Sequence, residues 1–154
     1  MVIHLATDHA GFECKEIVKS WLETEGYAVV DHGAYEYDGL DDYPDFISKA
    51  AQRVGVCPGS ERAVIFGGSG QGEAMVANRF PGVRAVVLNV DSEEIVKLSR
   101  QHNDSNVLSI GARFLTIDAV KKHIWTWLHT ETLKDEKYSR RNRKIEKITK
   151  ELHS

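Results

Sequence analysis

At 154 residues, with 42% hydrophobic and 28% charged positions, the chain has the composition of an average soluble globular domain. That length supports one domain with its own core and leaves no room for a separate cofactor domain, so an enzyme of this size must be compact or take surface from a second subunit. The formal net charge of −3 gives no global reason to expect nucleic acid or an acidic membrane as a partner. The charge is uneven, however: residues 134–151 hold eight Lys/Arg against four Asp/Glu.

Strand and helix alternate along the chain. Val2 to Thr7 reads as a short apolar strand, and Gly11 to Glu25 as a helix with Phe12, Ile17, Val18, Trp21 and Leu22 near helical spacing. Ala28 to Asp31 is a second strand. A Gly/Asp/Tyr-rich loop, His32 to Asp42, leads into a helix over Tyr43 to Val54, where Pro44 sits at a position that tolerates its missing N–H. Arg62 to Gly67 is the third strand and runs into Gly67-Gly68-Ser69-Gly70-Gln71-Gly72, after which a helix continues to about Arg79. Val83 to Leu88 is the fourth strand, Ser92 opens the next helix, and Val107 to Ile110 is the fifth strand. Thr116 to His129 is a helix in which Trp127 belongs to the core and Trp125 to an interface. A last, mostly charged helix covers Ser139 to Leu152, with Ile145, Ile148 and Leu152 as a narrow apolar stripe.

Five short strands separated by helices predict an α/β fold, a parallel sheet with helices on both faces, because parallel neighbours need right-handed crossovers. Ligands of such sheets bind beyond the carboxyl ends of the strands, at a switch point in strand order. Asp8 and His9, the loop from Gly67 to Glu73, Asn89 and Arg113 therefore draw attention. Cys14 and Cys57 form neither a disulfide framework nor a metal spacing and suit a reducing compartment. The start of the chain lacks a signal-peptide pattern and no run of 18 apolar residues occurs, so a cytoplasmic protein is expected.

The glycine loop lies where successive backbone N–H groups can converge on an anion. It matches neither a dinucleotide fingerprint, because Glu73 stands where the third Gly belongs, nor a phosphate-binding P-loop, because no Lys follows. Glu73 in the first helical turn would set a base beside an oxyanion hole, an arrangement suited to proton abstraction next to a carbonyl; it could equally complement the helix dipole. Asp8 could orient a hydroxyl or cap a helix, and His9 could bind phosphate. His102 and Asn103 end the fourth helix, where a His also suits the dipole. Arg140 and Lys144 share a helix face at i, i+4 spacing, as two cations holding one phosphate would, or as a solvated face. The remaining His residues make no metal spacing.

Taken jointly, Asp8-His9-Ala10-Gly11, Asp42-Tyr43-Pro44-Asp45, Gly68-Ser69-Gly70-Gln71-Gly72, Ala77-Asn78-Arg79, Arg100-Gln101-His102-Asn103-Asp104 and Gly111-Ala112-Arg113 resemble the ribose-5-phosphate isomerase B family, which includes galactose-6-phosphate and allose-6-phosphate isomerases. The resemblance spans nearly the whole chain. It implies a Rossmann-like three-layer sandwich with a C-terminal helical extension from about residue 133, no metal or nucleotide cofactor, and a homodimer or tetramer with active sites shared between subunits. The expected partner is a phosphorylated sugar, with no nucleic acid and no membrane.

One branch of that family carries a Cys just before the glycine loop as its base. Gly67 stands there in this chain, and Glu73 matches a second branch with Glu on the first helical turn. By this resemblance Glu73 moves the proton between C2 and C1, and His102 protonates the ring oxygen during ring opening, with Asp8 assisting. Ser69 and the N–H groups of Gly68, Gly70, Gln71 and Gly72 stabilise a cis-enediolate. His9, Arg113, Arg140 and Lys144 bind phosphate, Asn103 binds a sugar hydroxyl, and Tyr43 lines the pocket. Lys144 replaces an Arg common in the family, so Arg141 or Arg143 could serve instead. Tyr43, Asn89, Asp91 and the loop from Glu36 to Asp42 are where sugar choice would be made. A six-carbon sugar phosphate as substrate, a non-catalytic sugar-phosphate sensor, and a nucleotide-dependent oxidoreductase remain the alternatives.

Overall fold

Val2–Thr7 forms strand β1, buried from Ile3 onward because it is flanked by two other strands and covered by helices on both faces. The computed structural model describes residues 1–154. Its elements continue as α1 (Phe12–Thr24), β2 (Ala28–Asp31), α2 (Pro44–Val56), β3 (Glu61–Gly67), α3 (Gln71–Ala77), β4 (Ala85–Leu88), α4 (Glu93–Asn103), β5 (Val107–Gly111), α5 (Ile117–His129) and α6 (Glu136–Leu152). All strands pair in parallel in the order β2-β1-β3-β5-β4. The chain leaves β1 toward β2 and returns on the other side through β3. The loops after β1 and β3 therefore diverge at the carboxyl edge and leave a crevice between them.

Alternation along the strands builds two unlike cores. Ile3, Leu5, Val64, Phe66, Leu108 and Ile110 face α1, α4 and α5, where Val18, Leu22, Val96, Ile124 and Trp127 complete a cluster of large side chains. Ala6, Ala63, Ile65 and Val107 face α2 and α3, which answer with Ile47, Ala50, Ala51, Val54 and Ala77. Small residues on the second face let α2 and α3 lie close to the sheet, which carries Tyr43 and Glu73 toward the crevice.

Several boundaries differ from the sequence-based expectation. The segment opening at Gly11 begins instead with a single 3-10 turn, His9–Gly11, capped by Asp8 Oδ1, which accepts from the Ala10 N–H at 2.9 Å. Strand β4 starts at Ala85 rather than Val83, because the Arg84 N–H donates to the Asn106 side chain at 2.7 Å and the Val83 N–H closes a turn onto Phe80. Helix α2 extends to Val56, past Val54. Helix α6 starts at Glu136 rather than Ser139, because Asp135 caps the Lys137 N–H at 2.9 Å. Trp127 is fully buried and Trp125 is exposed. No helix is long and apolar enough to cross a membrane.

Candidate active site

At the crevice, Asp8, His9, Ala10, Tyr43, Gly68, Ser69, Gln71, Gly72, Glu73, Met75 and Arg113 line a groove of about 410 Å³. Its floor is the turn from β3 into α3. Gly70 holds this turn with φ +78°, and a Cβ there would press within 3.0 Å of the backbone of Ser109 and Ile110. Cross-links keep the turn rigid: Ser109 Oγ donates to the Gly70 carbonyl at 2.6 Å, Asn89 Nδ2 to the Ser69 carbonyl at 3.4 Å, and the Arg113 N–H to the Gly68 carbonyl at 3.1 Å. The Gln71 N–H turns back onto Ser69 Oγ at 3.3 Å. The Arg113 guanidinium lies over Gly68, and the Tyr43 hydroxyl lies against Gly72.

Glu73 is only 4% exposed. Burial pushes its carboxyl above the ordinary carboxylate range, the nearby Asp8 charge adds to the rise, and its own backbone N–H partly offsets it. The carboxylate occupies the space beside Gly67: a Cβ built on Gly67 would overlap Glu73 Oε1 and Cδ. A side chain at 67 and an inward carboxylate at 73 are therefore mutually exclusive, which gives a steric reason why a base on the strand end and a base on the helix would be alternatives. Cys14 is no substitute, since burial pushes its thiol up to about 12. Cys57 lies beyond the far end of α2.

His9 forms the other wall, with Asp41 behind it. Asp41 Oδ1 accepts from the His9 backbone N–H at 2.9 Å and lies 2.7 Å from His9 Nδ1. Because a carboxylate can only accept, Nδ1 carries the proton. The Asp41 hydrogen bond raises the imidazole pKa above its ordinary value, and the Asp8 charge contributes in the same direction. Asp8, His9 and Asp41 bring one donor atom each within 4.8 Å of one another, but the mutual hydrogen bonding of His9 and Asp41 makes them an ion pair rather than an open ligand set.

His102, Asn103, Arg140 and Lys144 lie elsewhere. Helix α4 runs back against the strands, so its last turn sits beside the amino end of β5. The five residues of β5 put that end roughly 13 to 17 Å from the carboxyl edge. There His102 stacks on Tyr138 with centroids 4.1 Å apart and planes 12° from parallel. Asn103 borders a depression with Asn78, Arg84, Val86 and Ile145. Among the tail cations, Arg143 is engaged by Glu136, Lys147 by Glu151 and Lys137 by Asp135. Arg140, Arg141 and Lys144 have no acidic partner and point to solvent. One protomer thus separates the sequence-derived site residues into two groups at opposite edges of the sheet.

Of the residues assigned to sugar choice, Asn89 touches the glycine turn through its bond to Ser69. Asp91 instead accepts a 2.6 Å hydrogen bond from buried His123 on α5, which ties it to the helix layer. Met75 escaped sequence reading, and Asp41 entered it only as part of the loop from Glu36 to Asp42. Asp41 is one acid in an acid-rich loop, and its role depends on a contact across 32 positions. Met75 is an ordinary apolar helix residue.

A family model described as Ribose/Galactose Isomerase matches residues 3–148. The chain is 37% identical over 141 residues to ribose-5-phosphate isomerase B of Mycolicibacterium paratuberculosis, covering 92% of this chain and 87% of that protein. A solved structure of ribose-5-phosphate isomerase B from Mycoplasma genitalium with bound ribulose 5-phosphate is similar at TM-score 0.92 and 34% identity, with 97% of each chain covered. The Clostridium thermocellum ribose-5-phosphate isomerase B is similar at TM-score 0.90 and 33% identity, with 99% of each covered. With matches of this extent to both sequence and fold, the chain belongs to the Ribose/Galactose Isomerase family.

Proposed function

We propose that this protein interconverts ribose 5-phosphate and ribulose 5-phosphate, with Glu73 as the base. The observation that carries the reading is the buried Glu73 carboxyl, held beside Gly67 at the turn where a helix begins. Ring opening comes first: His102 protonates the ring oxygen while Asp8 accepts the proton of the anomeric hydroxyl. Glu73 then removes the C2 proton, leaving a cis-enediolate whose oxygens face Ser69 and the N–H groups of Gly68, Gly70, Gln71 and Gly72. The same carboxylic acid returns the proton to C1, while the C2 hydroxyl proton passes to the former aldehyde oxygen, giving the ketose. Raising the pKa of Glu73 by burial makes it a stronger base once ionised. His9 and Arg113 take the phosphate from one side, Arg140 and Lys144 from the other, and Asn103 takes a sugar hydroxyl.

The groups on α4 and α6 reach this groove in a homodimer, where a second copy supplies them. Two features support that assembly. Arg140 and Lys144 are unpaired, and Ile148 and Leu152 leave 56% and 78% of their surface uncovered on the same helix, an apolar stripe that a second subunit would bury. Two free thiols suit the reducing cytoplasm.

The test is a panel of ribose 5-phosphate, allose 6-phosphate and galactose 6-phosphate in D2O, followed by NMR. Ketose formation with solvent deuterium at the transferred position, and the highest kcat/KM on ribose 5-phosphate, is the expected result. A six-carbon sugar at the top would reassign the substrate. Binding without conversion of any of the three would mean a sugar-phosphate sensor.

A further inference from the structure

Behind the wall of the groove, His9 is held in an unusual pair. Asp41 comes from the long loop between β2 and α2, and its side chain is 9% exposed. Its Oδ1 accepts two N–H groups of one residue, His9, while its Oδ2 is buried with no hydrogen-bond partner at all. A buried carboxylate with a vacant oxygen is costly unless a positive charge lies beside it, and the only cation it touches is the imidazole of His9.

We infer that Asp41 is a positioning residue for phosphate binding, which locks the His9 ring and keeps it charged so that Nε2–H is presented to the groove as a cationic donor. This rests on the isomerase reading of the same groove. With Nδ1 and the backbone N–H both tied to one oxygen, the ring has a single orientation and its second nitrogen is the one left for a ligand. The other groups facing the imidazole are Asp8 at the end of β1, which favours its charge, and Arg113 after β5, which opposes it. Tyr37 meets the ring edge-on at 6.4 Å, and Tyr43 from the start of α2 and Glu73 from α3 line the same groove. Asp41 outweighs Arg113 because it acts through a direct 2.7 Å contact, in line with the raised imidazole pKa. A sugar phosphate is mostly dianionic above about pH 6, so a histidine that stays protonated past that point meets its ligand in the right charge state.

The experiment compares wild type with Asp41→Asn, which keeps an acceptor for Nδ1–H but removes the charge, and with Asp41→Glu as the conservative variant. KM and kcat for the sugar phosphate are measured from pH 5.5 to 9, and the His9 ring is followed by NMR with and without inorganic phosphate. The expected result is a loss carried mainly by KM, roughly 10-fold near neutral pH for one charge-assisted contact. Comparing the variants on one substrate cancels the titration of the substrate itself. The ratio of the two KM values should peak between the two imidazole pKa values, then shrink at lower pH, where both rings are charged, and at higher pH, where neither is. Asp41→Glu should recover part of the loss, and inorganic phosphate should shift the His9 resonance less in Asp41→Asn. A KM penalty of equal size at every pH would mark a merely structural residue and overturn the inference. So would unchanged His9 titration, or a requirement for added Mg²⁺ or Zn²⁺ that is lost with Asp41. The NMR arm needs no turnover, so a chain that binds phosphate through His9 but isomerises nothing would refute the function while leaving this inference standing.

Discussion

The two edges of the sheet are built in opposite ways. At the carboxyl edge, Glu73, Asp8 and Asp41 are buried or nearly so, the glycine turn is pinned by hydrogen bonds from β5 and the segments after β4 and β5, and in the groove the Glu73 carboxyl and the His9 imidazole are both shifted upward. At the amino edge, His102, Asn103, Arg140 and Lys144 are half-buried or exposed, and what holds them is a stacking contact and one side-chain bond to the His102 carbonyl. The first edge holds its chemical groups in a fixed, desolvated geometry within one chain. The second leaves its cations solvated and has only a small depression beside Asn103, and the proposed homodimer is what would turn these groups into part of a site.

The largest effect should come from removing the charge at the buried edge. Glu73→Gln is expected to lower kcat roughly 10²- to 10⁴-fold, the span for loss of a general base. Steady-state rates near wild type on every sugar phosphate would remove Glu73 from the mechanism. Next comes Gly67→Ala, whose new methyl would displace the Glu73 carboxylate. A shift on the order of 1 Å in a reacting group costs about 10²-fold, and circular dichroism should show the fold intact. Recovery of activity in Gly67→Cys/Glu73→Ala relative to Gly67→Cys alone would sharpen the point that the two base positions compete for one space.

The comparison between edges can be broken directly by mixing subunits. If sites are shared, equal amounts of Glu73→Gln and His102→Asn chains, unfolded and refolded together, should regain about a quarter of wild-type activity. Half of the dimers are then mixed and each holds one intact site of two. No recovery, with dimers present by light scattering, would place each site within one chain. His102→Asn alone should slow the cyclic substrate far more than an open-chain analogue, and equal losses would exclude a role in ring opening.

A milder effect is expected from pH. As the proposed base, Glu73 would have to be ionised to act, and burial raises its pKa, so kcat/KM should fall on the acid side above the ordinary carboxylate value of 4.5. As the proposed phosphate ligand, His9 would have to be protonated, and Asp41 raises its pKa, so the alkaline limb should lie above the ordinary histidine value of 6.5. The profile is then a bell, and Asp41→Asn should move only its alkaline side inward.

Much of this was legible from residue order. Strand and helix alternation marked all five strands within two residues of their ends, because each is a short, largely apolar run between helical segments, and those at the centre of the sheet are buried on both faces. The glycine turn and Glu73 were conspicuous, because four closely spaced glycines after a strand exceed what a turn requires. Element ends were less legible. The start of α6 depends on Asp135 folding back as a cap, and that of β4 on Arg84 giving its N–H to Asn106, and neither contact has a periodic signature.

The sequence by itself determined the fold class, the family and the glycine loop with Glu73 on its following turn, since these follow from hydrophobic period and from residues adjacent in the chain. Only the tertiary structure decided which groups share a groove. Asp41 meets His9 across 32 positions, Gly67 and Glu73 exclude each other's side chains, and His102 with the basic helix stands at the opposite edge. Distances between residues far apart in sequence are set by sheet order and helix direction, which no local pattern encodes.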